Sequence, residues 1–100
     1  MNKWSKNFPK ETGHYWIAYR LTRHKRIKHI LIFIDQDGAF RLPGFKDLIF
    51  YNSKSKKHTT CIFSTWGYAK VIPVKFKFLQ FFDRQVNFVP DFSKKDLPTL

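Results

Sequence analysis

Apolar and polar residues alternate over most of this chain in runs too short for helices. His14–Leu21 (H-Y-W-I-A-Y-R-L) is dense in aromatic and β-branched residues, the composition of a strand. Ile27–Asp35 (I-K-H-I-L-I-F-I-D) is a stronger strand signal. Its middle, Ile30–Ile34, is apolar at every position, which predicts a central strand covered on both faces. Asp35-Gln36-Asp37-Gly38 reads as a turn, with Gly38 free to take a positive φ. Ala39–Leu42 returns as a short strand that Pro43-Gly44 breaks, and Lys46–Tyr51 (K-D-L-I-F-Y) follows as another. Asn52–Thr60 (N-S-K-S-K-K-H-T-T) has nothing to bury and is predicted as a loop, and Cys61–Trp66 as a strand that ends near Gly67. Within Tyr68–Phe78, Val74, Phe76 and Phe78 alternate with Lys75 and Lys77, the period of a half-buried strand. Pro73 makes that segment an edge strand or splits it at a bulge. Leu79–Asp83 fits either a helical turn or a strand, and Arg84–Val89 alternates as a strand does.

Short strands punctuated about every 8–12 residues predict an all-β fold, or a mainly β one with at most one short helix. The expected form is a curled antiparallel sheet or a small SH3-like barrel. Residues 1–90 are expected to form one β-rich domain and residues 91–100 a C-terminal tail. A chain of 100 residues has little interior, but 19% of these residues are aromatic, including 12 Phe, so a compact core is attainable without disulfides or a metal. Cys61 is the sole cysteine, which excludes an intrachain disulfide and fits a reducing, intracellular setting. The opening Met1-Asn2-Lys3-Trp4 has no signal-peptide pattern, and no apolar run approaches the ~18–20 residues of a membrane span.

Charge changes the picture most. Nineteen Lys and Arg face seven acids, a net charge of +12 with neutral His. A domain this basic is expected to meet a polyanion, and the same balance argues against a mimic of DNA. The cations cluster in three places: Arg20, Arg23, Lys25, Arg26 and Lys28 with His24 around the first connection; Lys54, Lys56 and Lys57 with His58 in the predicted loop; and Lys70, Lys75 and Lys77 on the outer face of a later strand. Such like charge repels itself unless an anion neutralises it. Tyr15, Trp16 and Tyr19 are the companion candidates for an aromatic surface that stacks bases. Because Tyr15 and Trp16 alternate, one of the two is expected to face away from the core.

Signs of catalysis are few. The chain has no G-x-S-x-G, no glycine-rich phosphate cradle and no cysteine in a catalytic context, so no catalytic residue, metal ligand or cofactor is expected. His58-x-x-Cys61 is too small a set for zinc, and Asp35-x-Asp37-Gly38 lacks the later glutamate of a calcium loop. A metal-dependent nuclease built from Asp35, Asp37 and Asp47 with Lys46 is the remaining enzymatic alternative.

The opening segment, W-S-K-x-x-P-x-x-x-G-x-Y-W from Trp4 to Trp16, resembles the start of small bacteriophage and prophage proteins of unknown function, matching at Trp4, Ser5, Pro9, Gly13, Tyr15 and Trp16. The resemblance implies a phage-type accessory protein in the cytoplasm of a bacterial host, binding rather than catalysing, and inhibiting a defence factor of the CRISPR or restriction kind. Its partner would be an acidic host protein or nucleoprotein complex, met through the basic loops. The alternative is a weakly specific module that binds DNA or RNA directly. The protein is expected as a monomer, or as a dimer through the open edge near Val71–Phe78.

Overall fold

The computed structural model describes residues 3–63, 65, 67 and 69–86. The chain is all-β, with eight antiparallel strands among the described residues and no helix. One sheet contains β1 (Trp4–Ser5), β8 (Phe78–Phe82), β2 (Gly13–Arg20) and β3 (Lys28–Ile34), in that order. The second contains β4 (Ala39–Phe40), β5 (Ile49–Asn52), β6 (Lys57–Phe63) and β7 (Ala69–Val74) in sequence order. The inner faces of the two sheets share one core: Tyr15, Ile17 and Tyr19 from β2, Ile32 and Ile34 from β3, Phe81 from β8, and Phe40, Leu42 and Ile49 from the facing side. Phe40, Phe81, Ile17, Ile34 and Ile49 are its most deeply buried side chains.

β2, and not β3, is the strand covered on both faces. It lies between β3 and β8, with Tyr19 paired to both Lys28 and Leu79. β3 is an edge strand, and its Phe33 is 50% exposed, leaning edge-on against His14 at 5.0 Å. Its unbroken apolar run has a different origin from a doubly covered strand: Ile32 and Ile34 feed the core, while Leu31 is buried on the other face opposite Trp16.

That other face has its own small cluster. Trp4, at the far edge of the sheet, meets Phe82 at 5.5 Å and His29 of β3 at 5.6 Å, both edge-on. Its reach spans β8 and β2, and the fully buried Ala18, in register with His29 and Gln80, leaves the room. Trp16 is 6% exposed although it faces away from the main core, and Tyr15 and Tyr19 are each 4% exposed within it. The three aromatics expected at a binding surface are thus interior residues. Alternation predicts their opposite faces correctly but does not say that both faces are covered. Burial raises both tyrosine pKa values above the ordinary 10, and the Tyr15 hydroxyl donates to the Glu11 carbonyl at 2.9 Å.

Between β3 and β4, the Asp35 carboxylate accepts the backbone N–H groups of Asp37 and Ala39, and Gly38, at φ +76°, donates to the Asp35 carbonyl. The predicted loop Asn52–Thr60 shrinks to residues 53–56, because Lys57–Thr60 pair with β5 as the start of β6. Asn52 closes this turn: its side-chain oxygen accepts from the N–H of Lys54 and of Ser55, and its carbonyl from Lys56 at 2.7 Å. Lys56 completes the turn in the left-handed region, at φ 56°.

The stretch from Ala69 to Phe78 breaks after Val74, and not at Pro73. β7 ends at Val74, and after residues 75–77 the chain enters the other sheet as β8. Pro73 does lie on an edge strand, where its missing N–H removes a donor from the edge. Lys75 and Lys77 sit in the crossover between sheets, and not on the outer face of a strand. Leu79–Phe82 is strand and no helical turn, and Arg84–Val86 is not strand; residues 87–89 and the tail 91–100 lie outside the described residues. No helix among the described residues is long and apolar enough to cross a membrane.

Candidate nucleic-acid interface

The strand registers bring separate basic clusters together. Phe78 pairs with Arg20, and the N–H of Lys77 donates to the Arg20 carbonyl at 3.0 Å, so the crossover starts beside the first basic connection. At its other end Val74 pairs with His58, which puts the next residues outward, Lys75 and Lys57, side by side where the ladder stops. A basic track therefore runs from Arg23, Lys25 and Arg26, past Arg20 and Lys77, to Lys75, Lys57, Lys56 and Lys54. Arg20 is half-buried and its Nε makes no hydrogen bond. Lys28 is exposed at the start of β3, and Lys70 on β7 stands outside the track.

Beside this track lies an open cleft of about 1430 Å³. One wall is the segment from Lys6 to Thr12, another the turn from Ile34 to Gly38, and the rest comes from Tyr51–His58 and Pro73–Gln80. Six lysines line it, Lys6, Lys10, Lys56, Lys57, Lys75 and Lys77, against the carboxylates of Glu11, Asp35 and Asp37. The Asp35 carboxylate is already engaged by two backbone N–H groups. The six lysines are cationic and, among the described residues, none forms an ion pair.

The floor of the cleft is aromatic. Phe8 stacks on Tyr51 at 4.2 Å with planes 8° apart, and touches Phe81 of one sheet and Phe40 of the other. It also packs over Gly38, where a Cβ would come within 3.6 Å of its ring. Phe8 thus ties the N-terminal segment to both sheets, which fixes Lys6 and Lys10 on the rim. His58 pairs with Tyr51 across the β5–β6 ladder and sits among the rings of Tyr51 (4.9 Å), Phe76 (5.4 Å), Phe40 (5.8 Å) and Phe8 (6.0 Å). Its Nε2 is buried without a hydrogen-bond partner.

This cage keeps His58 neutral: burial lowers its pKa from 6.5 to about 4. Between those values the unfolded chain takes up a proton that the folded chain resists. Stability from this residue is therefore complete above pH 6.5 and lost as pH falls toward 4. Since the ring stays partly open to solvent, which screens the charge, the expected loss is about 1–2 kcal/mol. Urea unfolding of wild type and His58→Phe at pH 7.5 and pH 4.5 measures it; the substitution should remove this component. An equal pH dependence in the two proteins would contradict a caged neutral imidazole.

His58 and Cys61 lie three residues apart on β6 and so point to opposite faces, and Cys61 is a half-buried free thiol in mid-strand. Among the described residues no three His, Cys, Asp or Glu side chains gather as a metal site. Asp35 shapes its turn through two backbone N–H groups that donate to one of its carboxylate oxygens.

No protein family, curated protein or solved structure matches this chain.

Lys56, Lys57, Lys75 and Lys77, and His58 as a member of a basic cluster, stand out in the sequence; Lys6, Lys10 and the aromatic floor of Phe8, Tyr51 and Phe76 do not. A lysine beside an aromatic or imidazole ring recurs along the chain, at Lys3-Trp4, His24-Lys25, Lys28-His29 and Phe45-Lys46 as well as at Lys6-x-Phe8-x-Lys10, Lys57-His58 and Lys75-Phe76-Lys77, so no local pattern separates the cleft residues from the rest.

Proposed function

We propose that this protein is a non-enzymatic nucleic-acid-binding module whose lysine-rimmed cleft receives the phosphate backbone. The observation that carries this reading is the convergence of Lys6, Lys10, Lys56, Lys57, Lys75 and Lys77 around one cleft from three distant parts of the chain. Lysines gathered without ion-pair partners hold counterions, and releasing these to bulk solvent favours binding of a polyphosphate. The basic connection with Arg23, Lys25 and Arg26 extends the same track beyond the cleft. The phage-like opening segment adds a setting: a small accessory protein that occupies the nucleic acid, or a nucleoprotein complex, of a host defence system.

An acidic protein surface is the competing partner, and the two differ in what binding requires. Fluorescence anisotropy with a labelled twelve-nucleotide strand and with poly-glutamate of equal charge separates them. At about 0.1 M salt the nucleic acid should bind with micromolar or tighter affinity and poly-glutamate at least tenfold more weakly. Tighter binding of poly-glutamate would move the reading to an acidic protein partner.

A further inference from the structure

The cleft combines two surfaces of opposite character. Its rim is cationic, and its floor is built from Phe8, Tyr51, His58 and Phe76, all half-buried, so each keeps part of its surface open. His58 adds no charge there near neutral pH, because burial holds it unprotonated. The floor is therefore apolar and aromatic while the rim alone attracts anions. A single nucleic-acid strand has the same division, with π-faced bases on one side and phosphates on the other. A duplex does not, since its bases are stacked on one another and only its phosphates and groove edges are open. A duplex would touch the rim and leave the floor unused.

The rings of the platform are also packed against one another before any ligand arrives. Tyr51 is paired to His58 across a ladder, Phe8 is held between Tyr51, Gly38 and Phe81, and Phe76 stands edge-on to both His58 and Tyr19. Rings packed in this way lose little freedom when a base stacks on them.

Resting on the nucleic-acid reading above, we propose that the cleft selects single-stranded nucleic acid, with a base laid on the aromatic floor beside Tyr51 and Phe76 and its flanking phosphates held by the lysine rim. Stacking of this kind tolerates any base, so selection is for strandedness and only weakly for sequence.

Anisotropy titrations at one salt concentration decide it, using a thymidine twelve-mer, a twelve-mer of abasic sites with the same phosphates, and a twelve-base-pair duplex. The thymidine strand should bind about tenfold or more tightly than the abasic strand, and more tightly than the duplex. Tyr51→Ala should bring the ratio of thymidine to abasic affinity down to about one, whatever it does to the phosphate contribution the two strands share. Tyr51→Leu, which keeps apolar bulk without a ring, should do the same, with a thermal melt to show that both variants fold. Equal affinities for thymidine and abasic strands would overturn the base platform and leave the nucleic-acid reading standing. Tighter binding of the duplex would also overturn it. Failure of all three probes to bind would overturn the nucleic-acid reading itself, and this inference with it.

Discussion

Replacing Lys56, Lys57, Lys75 and Lys77 together by alanine is expected to weaken binding of a single-stranded twelve-mer about 100-fold at 0.1 M salt. Each lysine that neutralises a phosphate releases counterions, and for single strands each contact adds about 0.7 to the slope of log affinity against log salt. Four lost contacts should flatten that slope by about 3. The substitutions leave the fold intact on structural grounds. All four side chains are exposed, and the hydrogen bond that Lys56 donates to the Asn52 carbonyl uses its backbone N–H, which alanine keeps. A control variant removes the same charge elsewhere, at Lys3, Arg41, Lys46 and Lys70, none of which lines the cleft. It should lose well under tenfold. If the two variants lose affinity equally, net charge alone drives binding and the cleft has no special part in it.

Phe81→Ala is the substitution expected to harm the fold most. Phe81 is 1% exposed, and its strand joins β1 to β2, pairing with Ser5 on one side and Ile17 on the other. Its ring stands edge-on to Phe8 at 5.2 Å and to Phe40 at 6.3 Å, so it links the two sheets and the N-terminal segment at one point. Truncation leaves a cavity that β-strands from two sheets cannot both close, at a cost of about 3–5 kcal/mol. The whole stability of a small domain is roughly 5–15 kcal/mol, so the variant should melt roughly 15–30 °C below wild type. A change under about 1 kcal/mol in urea unfolding would show that the two sheets do not share this core.

Local features of the fold were legible in the sequence where local chemistry decides them. Asp35 and Gly38 announce their turn because a short carboxylate can accept backbone N–H groups and glycine reaches positive φ freely. Alternation marks β2, and Pro73 marks β7 as an edge. The long-range decisions were not legible. Nothing local to Val74–Phe78 shows that the chain leaves one sheet for the other there, because alternation continues unbroken through the crossover. Lys57–Thr60 looked like loop because its residues are polar, yet the pairing of Ile49–Asn52 recruits them into β6.

The candidate site was half legible for the same reason. Charge clusters are visible as counts along the chain, so Lys56, Lys57, Lys75 and Lys77 stood out. A cleft is a property of pairing, and only the register of β6 with β7 makes Lys57 and Lys75 neighbours. The aromatic candidates failed because periodicity assigns a side chain to a face without saying what lies over that face. Trp16 faces away from the main core and is still buried, next to a cluster in which Trp4 spans the sheet. The segment from Trp4 to Trp16 contributes through residues that carried no signal alone: Phe8, which anchors the strap, and Lys6 and Lys10, which it holds on the rim.

The most direct test of the account is lysine footprinting. Limited acetylation with and without the bound thymidine twelve-mer, followed by mass spectrometry, reports which ammonium groups the ligand covers. Protection is predicted at Lys6, Lys10, Lys56, Lys57, Lys75 and Lys77 together, with Lys46 and Lys70 unchanged. Protection confined to Lys25 and Lys28, or spread evenly over every lysine, would contradict a binding cleft between the two sheets.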